Sequence, residues 1–187
     1  MRRPLFTLAN QLTLLRLALI PFFVLAVVEQ RHALALGLFV AAAVSDTLDG
    51  LLARVLNQRT ALGAYLDPIT DKLLLSAAFV ALAFQGIVPW PLSILVLSRD
   101  ILILTTAVAI LLATGFRPFR PSIYGKACTV AETVTVLVVL VDSEFSWAWL
   151  ASNKNLFFWL TATLVVVSGL NYGYRVGKLL PDLPSKS

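Results

Sequence analysis

Four aspartates, Asp46, Asp49, Asp67 and Asp71, lie in segments that are otherwise strongly apolar. The first two are three residues apart and the last two are four apart, so each pair shares one face of a helix. A carboxylate inside a membrane is costly, and such residues usually pair with another group or serve a function. Because carboxylate oxygens prefer hard cations, the four residues predict a site for Mg²⁺ or Mn²⁺, with Ca²⁺ as an alternative.

Small residues and one arginine accompany the aspartates. Gly50, Ala53 and Gly63 have little bulk, which allows a phosphate or a planar group to approach the backbone. Arg54 can make a forked contact with a phosphate. Any one residue of the set could instead serve helix packing, proton transfer or an ion pair with Lys72. The whole set at these offsets favours metal-dependent chemistry at a phosphorus atom.

The elements that must position these residues are apolar segments. The chain has 187 residues, of which 59% are hydrophobic and 13% charged, which excludes an ordinary soluble domain. A membrane-spanning helix needs about 20 apolar residues. The predicted spans are residues 12–28, 33–56, 62–84, 91–113, 123–141 and 156–176. We therefore predict a single all-α integral membrane domain over residues 1–187, with six transmembrane helices.

Residues 1–10 are predicted to form a short interfacial segment before the first span, with Arg2 and Arg3 at the surface. The alternative is a signal peptide. However, no small-residue cleavage site follows, and Arg16 interrupts the apolar run, so we expect this segment to be retained. The only cysteine, Cys128, excludes a disulfide within the chain.

The basic residues of the loops predict the orientation in the membrane. With six spans, one side carries Arg2, Arg3, Arg54, Arg59, Arg117, Arg120, Lys126, Arg175, Lys178 and Lys186. The other side carries Arg31 and Lys154, and Trp90, Trp147 and Trp149 lie near its helix ends. The positive-inside rule then places both termini and the loop between spans two and three in the cytoplasm. Because the net charge of +5 lies in loops rather than on a patterned face, we expect membrane lipids and no nucleic acid as partners.

The loop between spans two and three is short, so the two helices are expected to be antiparallel neighbours. Their polar stripes can then face each other across a cavity that opens to the cytoplasm.

The full pattern reads Asp46-x-x-Asp49-Gly50-x-x-Ala53-Arg54, then eight residues, then Gly63-x-x-x-Asp67-x-x-x-Asp71. It resembles the signature of the CDP-alcohol phosphatidyltransferase family. Six spans, the stretch Asn10-x-Leu12-Thr13-x-x-Arg16 and the stretch Ser122-x-x-Gly125-Lys126 also fit that family. Its members are integral membrane enzymes, commonly homodimeric, that transfer a substituted phosphate from a CDP-linked donor to an alcohol and release CMP.

The resemblance implies a role for each residue of the motif. Asp46, Asp49, Asp67 and Asp71 would hold two divalent ions at the donor pyrophosphate, and Asp71 would also be the general base. Asp49, Gly50, Ala53, Arg54 and Gly63 would bind CDP-diacylglycerol. We expect the site to face the cytoplasm from a membrane of the bacterial inner-membrane type.

The acceptor alcohol is left open by the sequence. Lys126 is the first candidate for binding its phosphate, with Ser122, Arg120 and Arg175 as further candidates, whereas Arg117 and Lys178 are attributed to topology. The motifs near the amino terminus and around Gly125 and Lys126 look like those of phosphatidylglycerophosphate synthases, and glycerol 3-phosphate is placed slightly first because it is the commoner acceptor. The alternative is phosphatidylglycerol, because residues 98–100 look like those of the family's cardiolipin synthases and residues 101–107 lack a further arginine. An inositol phosphate is less favoured, and serine or choline less again.

Three further charges lie within predicted spans: Arg99, Asp100 and Glu132. Arg99 and Asp100 are expected either to pair or to line the cavity, and Glu132 is a candidate partner for Arg99. Lys72 is expected to balance the charge of the aspartates, or alternatively to contact the donor phosphate.

A small ion-coupled transporter is the alternative from another functional class. Transporters commonly place polar residues near the middle of the membrane in both halves of an inverted repeat. Here the aspartates gather in one half, and no repeat is visible. The pattern therefore favours an enzyme.

Overall fold

The computed structural model describes the backbone of residues 8–55, 61–114 and 123–179, and the side chains of residues 13–45, 70–105 and 123–174. Within these ranges the chain is all-helical, without strands, which confirms the predicted class. The helices are α1 (Leu8–Val28), α2 (His32–Val55), α3 (Ala61–Phe84), α4 (Trp90–Thr114), α5 (Ile123–Phe145) and α6 (Ala148–Leu179). Among the residues searched, the segments Ile123–Phe145 and Ala148–Tyr174 are long and apolar enough to cross a membrane, and Thr13–Val28 and His32–Ser45 are shorter apolar helices.

Three tight turns join the helices in pairs. Gln30, Gly86 and Ser146 adopt positive φ angles of 58°, 71° and 49°, just after α1, α3 and α5. A left-handed residue here lets the following amides reach back to the last carbonyls of the helix. The Arg31 amide donates to the Ala26 carbonyl at 2.9 Å, and the Ile87 amide donates to the Leu82 carbonyl at 3.0 Å. Within the described residues, these turns form three helical hairpins, α1–α2, α3–α4 and α5–α6.

The first two hairpin turns lie side by side. The Gln85 side-chain amide donates to the Val28 carbonyl at 2.9 Å, and Gln30 and Gln85 are hydrogen bonded at 3.4 Å. Helix α2 runs away from the first turn and α3 runs towards the second. The carboxyl end of α2 and the amino end of α3, which carry the aspartate motif, therefore lie at the opposite end of these hairpins.

Apolar side chains fill the interior and also cover the outside. Phe23 and Phe39 pack with ring centroids 5.7 Å apart and are almost fully buried, as is Phe79. In contrast, Phe22 is 61% exposed and Trp159 is 73% exposed. Large exposed apolar surfaces mark contact with lipid or with another protein, so the outer surface supports a membrane location.

The last hairpin extends beyond the predicted spans. Helix α5 continues to Phe145 and α6 already begins at Ala148, whereas the predicted spans end at residue 141 and begin at residue 156. Polar side chains in the extra turns bond to their own helix. Ser143 donates to the Val139 carbonyl at 2.8 Å, and Asn153 donates to the Trp149 carbonyl at 2.7 Å. Helical structure therefore continues past the apolar run on which the prediction was based.

Candidate active site

A cavity of about 320 Å³ lies between α1, α2, α3 and α5. Its walls are formed by Arg16, Phe39, Ala42, Ala43, Asp71, Leu74, Leu75, Thr129, Val130, Thr133 and Val134. Most of the lining is apolar, and Asp71 and Arg16 are its charged members. The structure thus places Asp71, the predicted general base, in the wall of a cavity that α2 and α3 both line.

The aspartate motif continues the same two helical stripes. On α2, the lining residues Phe39, Ala42 and Ala43 precede Asp46 by seven, four and three positions, respectively. On α3, Asp71 is followed by Leu74 and Leu75, which also line the cavity, and Asp67 precedes Asp71 by four positions. Because α2 is helical to Val55 and α3 from Ala61, these positions share one face of each helix.

Several predicted site residues have side chains outside the described residues. They are Asp46, Asp49, Gly50, Ala53, Arg54, Gly63, Asp67, Arg120, Ser122 and Arg175. Their predicted roles remain predictions.

Arg16 is the cavity residue that the sequence analysis left without a role. It lies on α1, its exposed fraction is 0%, and Thr13, one turn earlier, is 2% exposed. A fully buried cation beside an aspartate-bearing cavity is well placed to meet an anionic group. The signal was present in the sequence, because Arg16 is a charge inside an otherwise apolar run.

Behind the cavity, charged side chains join α3, α4 and α5. The Lys72 ammonium lies 3.1 Å from the Asp100 carboxylate and 3.3 Å from the Glu132 carboxylate. It also donates to the Thr129 hydroxyl at 3.3 Å. Among the described side chains, the carboxylates whose charge Lys72 balances are therefore those of Asp100 and Glu132.

Arg99 is held by its neighbours. Its guanidinium lies 2.6 Å from the Asp100 carboxylate and donates to the Ser168 hydroxyl of α6 at 2.9 Å. This confirms the pairing of Arg99 with Asp100, one of the two alternatives. The ion partner of Glu132 is Lys72, and not Arg99 as considered from the sequence.

With this geometry established, comparison with known proteins identifies the relatives of the chain. Residues 6–167 match the family model described as CDP-alcohol phosphatidyltransferase. The chain belongs to this family. The match covers all six helices except the last part of α6, and it includes the aspartate motif and the cavity.

Curated relatives of this phosphatidyltransferase family carry two kinds of name. The human cardiolipin synthase (CMP-forming) is 32% identical over 158 residues, which are 76% of this chain and 52% of the relative. A putative cardiolipin synthase of Mycobacterium tuberculosis (strain ATCC 25618 / H37Rv) is 37% identical, over 82% of this chain and 75% of the relative. The Bacillus subtilis (strain 168) CDP-diacylglycerol–glycerol-3-phosphate 3-phosphatidyltransferase is 31% identical, over 90% of this chain and 94% of the relative. The chain thus spans about half the length of the human relative and almost all of the Bacillus relative.

In this member of the family, Lys126 lies in the first turn of α5 and is exposed. It precedes the cavity residues Thr129, Val130 and Thr133 by three, four and seven positions, so it continues their stripe towards the helix end. The Thr129 hydroxyl donates to the Gly125 carbonyl at 3.2 Å. Lys126 therefore lies next to the cavity wall, at the amino end of α5.

The oxygen atoms that line the cavity suit a hard cation. Asp71, Thr129 and Thr133 offer oxygen atoms, and neither histidine nor cysteine is among the lining residues. Among the described side chains, no three His, Cys, Asp or Glu residues form a metal-binding group. Asp71 is the one member of the predicted metal set whose side chain is described, and its oxygen chemistry fits Mg²⁺ or Mn²⁺.

Proposed function

We propose that this chain transfers the phosphatidyl group from CDP-diacylglycerol to a glycerol-type alcohol and releases CMP. The observation that carries the proposal is the position of Asp71, in a largely apolar cavity on the helical stripe that also carries Asp67. Family membership supports the reaction class. The Bacillus relative is named for CDP-diacylglycerol as donor and glycerol 3-phosphate as acceptor.

Members of this family generally use divalent metal ions. Asp46, Asp49, Asp67 and Asp71 are proposed to hold two of them, Mg²⁺ or Mn²⁺. When bound, such ions would neutralise the donor pyrophosphate and the charge that develops on departing CMP. Their number and identity are part of the proposal.

Asp71 is proposed to remove the proton from the acceptor hydroxyl. The hydroxyl oxygen then forms a bond to the phosphorus that carries diacylglycerol, and the bond from that phosphorus to the oxygen of CMP breaks. The electron pair leaves with CMP, and the proton stays on the Asp71 carboxylate. A carboxylate with an ordinary pKa near 4 can act as a base when it is held within hydrogen-bond reach of the hydroxyl.

The other residues of the motif are proposed to bind the donor. Gly50, Ala53 and Gly63 leave room for the cytidine, and Arg54 contacts the phosphates. The apolar walls, which include Phe39 and Leu75, suit the lipid part of the donor. Buried Arg16 would add a positive charge on the α1 side of the cavity.

The membrane arrangement is also a proposal. All six helices are taken to span a membrane of the bacterial inner-membrane type, as one domain, with the connection between α2 and α3 on the cytoplasmic side. Exposed Trp90, Trp147 and Trp149 would lie at the opposite interface. A homodimer is proposed by analogy with the family.

Phosphatidylglycerol is a second candidate acceptor, and one contact favours it. In the described part of α4 the cation is Arg99, which is engaged by Asp100 and Ser168. It is therefore not presented to a phosphate monoester. The human and Mycobacterium relatives are named cardiolipin synthases. Glycerol 3-phosphate and phosphatidylglycerol thus remain the two acceptors to compare.

Purified protein should be incubated with CDP-diacylglycerol and Mg²⁺ or Mn²⁺, and with glycerol 3-phosphate, phosphatidylglycerol or an inositol phosphate in parallel. The proposal predicts CMP release that depends on one glycerol-type acceptor, and mass spectrometry of the lipid product identifies it. Cation flux into vesicles that contain the reconstituted protein, without CMP release, would instead support the alternative of a small ion-coupled transporter.

A further inference from the structure

Four charged side chains form a cluster that the proposed reaction does not use. Lys72, Arg99, Asp100 and Glu132, here called the charged quartet, come from α3, α4 and α5. Glu132 is 0% exposed and Arg99 is 6% exposed. The quartet contains two cations and two carboxylates, so its formal charges balance when all four are ionised.

The quartet lies directly behind the wall of the cavity. Lys72 follows Asp71 in the sequence, and its ammonium contacts Thr129, which lines the cavity from α5. The same ammonium is 3.3 Å from the Glu132 carboxylate, one turn further along α5. One side chain thus connects the helix that carries the general base to the facing wall of the cavity.

The Lys72 side chain is 33% exposed, but its partners Asp100 and Glu132 are 8% and 0% exposed, and such buried charges are sensitive to the loss of a partner. Removing one member leaves an uncompensated charge in an apolar interior, whereas removing an oppositely charged pair leaves the balance intact. Lys72→Met leaves two carboxylates, Asp100 and Glu132, with Arg99 as the remaining cation of the quartet. Glu132→Gln leaves two cations, Lys72 and Arg99, with Asp100 as the remaining carboxylate of the quartet. Changing both restores the balance and keeps the 2.6 Å pair of Arg99 and Asp100.

We propose that Lys72 is a positioning residue: its ion pair with Glu132 fixes α3 against α5 and so orients the Asp71 carboxylate towards the acceptor hydroxyl. This inference rests on the proposed function, because it concerns the base of that reaction. It assigns Lys72 an action through Asp71, in place of the direct contact with donor phosphate considered from the sequence. The two roles make different predictions for Glu132. The positioning role requires the Glu132 carboxylate, whereas a direct contact between Lys72 and the phosphate does not.

The test is a double-mutant cycle with K72M, E132Q and the K72M/E132Q double variant, measured by CMP release and by thermal unfolding. Misplacing a reacting group by about 1 Å can reduce the rate by about 100-fold. We expect each single variant to lower kcat by about 10- to 100-fold with little change in the KM for CDP-diacylglycerol. The double variant should have a kcat no lower than the poorer single variant, and its Tm should recover part of the loss.

K154M is the matched control. Lys154 and Asp142 form a partly exposed ion pair 3.9 Å apart between α6 and α5, far along α5 from Thr129. This variant removes a lysine paired with α5 but should leave kcat unchanged. The K72R variant keeps the charge and should retain more kcat than K72M.

Other results overturn the inference. A K72M variant with a raised KM for donor, beside an E132Q variant with normal kinetics, would show that Lys72 contacts the substrate directly. Losses in kcat that multiply in the double variant would show that the two residues act independently. If K72M does not fold, an unchanged kcat in folded E132Q is sufficient to reject the positioning role. If the wild-type protein releases no CMP with any acceptor, the proposed function itself fails. If the wild-type protein releases CMP but the effects of K72M and E132Q on kcat are independent, only the role of Lys72 is rejected.

Discussion

Arg16 of α1 and Asp71 of α3 line the same cavity, although they are far apart in the sequence. They are its charged lining residues, in walls that otherwise consist largely of aliphatic and aromatic side chains. A donor with an anionic pyrophosphate and two acyl chains needs both kinds of surface close together. This shared cavity, with a buried cation on α1 and the predicted base on α3, links the first helix of the chain to the aspartate motif.

Replacing Arg16 should impair catalysis. Arg16→Met is expected to reduce kcat/KM for CDP-diacylglycerol by about 100-fold, because a hydrogen bond to a charged group contributes about 1.5–3 kcal/mol. Arg16→Lys should recover part of the loss, because it keeps the charge without the fork. CMP release measures the effect. Arg31→Met is the matched control, because Arg31 is 66% exposed in its pair with Glu29 and lies at the far turn. Equal activity of Arg16→Met and wild type would exclude Arg16 from the site.

Removal of divalent ions should abolish turnover reversibly. After treatment with a chelator, we expect CMP release to stop, and excess Mg²⁺ or Mn²⁺ to restore it, because the predicted ligands are carboxylates. Isothermal titration with Mn²⁺ should in addition show binding that is weakened in Asp67→Asn. Full activity in the presence of excess chelator would contradict the metal-dependent mechanism.

Lys126 should affect the acceptor more than the donor. Because it is exposed one turn before Thr129, Lys126→Met is expected to raise the KM for the acceptor by about 10-fold, corresponding to about 1.4 kcal/mol. The KM for CDP-diacylglycerol should stay within about twofold. Steady-state kinetics with each substrate varied in turn distinguishes these effects. An unchanged acceptor KM would assign Lys126 to membrane topology alone.

A buried hydroxyl pair should contribute to stability rather than to catalysis. Thr135 of α5 and Thr161 of α6 lie 2.7 Å apart and are almost completely buried. Thr135→Val removes the hydrogen bond between the two hydroxyls, while the Thr161 hydroxyl can still donate to the Ala131 carbonyl at 3.3 Å. The substitution should destabilise the fold by about 1 kcal/mol. The T135V/T161V double variant should be less destabilised than the sum of the single variants. Thermal unfolding in detergent measures the difference, and strict additivity would show that the pair is not coupled.

The sequence predicted α2, α3 and α4 closely, because their apolar runs are long, whereas α5 and α6 continue as helix past the apolar runs that were used to predict them. It also placed Asp71 with α2 and α3 around a cavity, because helical periodicity and a short loop constrain both helices. It did not reveal that Arg16 joins this cavity, since packing of α1 on α3 depends on contacts between distant residues. Nor did it pair Lys72 with Glu132, because several buried charges of each sign were available and only the packing of α3 on α5 selects among them.

The most direct test of the central claim compares Asp71→Asn with the wild-type protein. Asparagine keeps the size of the side chain and one oxygen that can bind a hard cation, but it cannot accept the proton. A positioned base contributes about 10²- to 10⁴-fold to the rate. We predict that Asp71→Asn binds CDP-diacylglycerol in the presence of Mg²⁺ or Mn²⁺ with near-normal affinity but releases CMP at least about 100-fold more slowly. Wild-type rates of CMP release from this variant would contradict the assignment of Asp71 as the base.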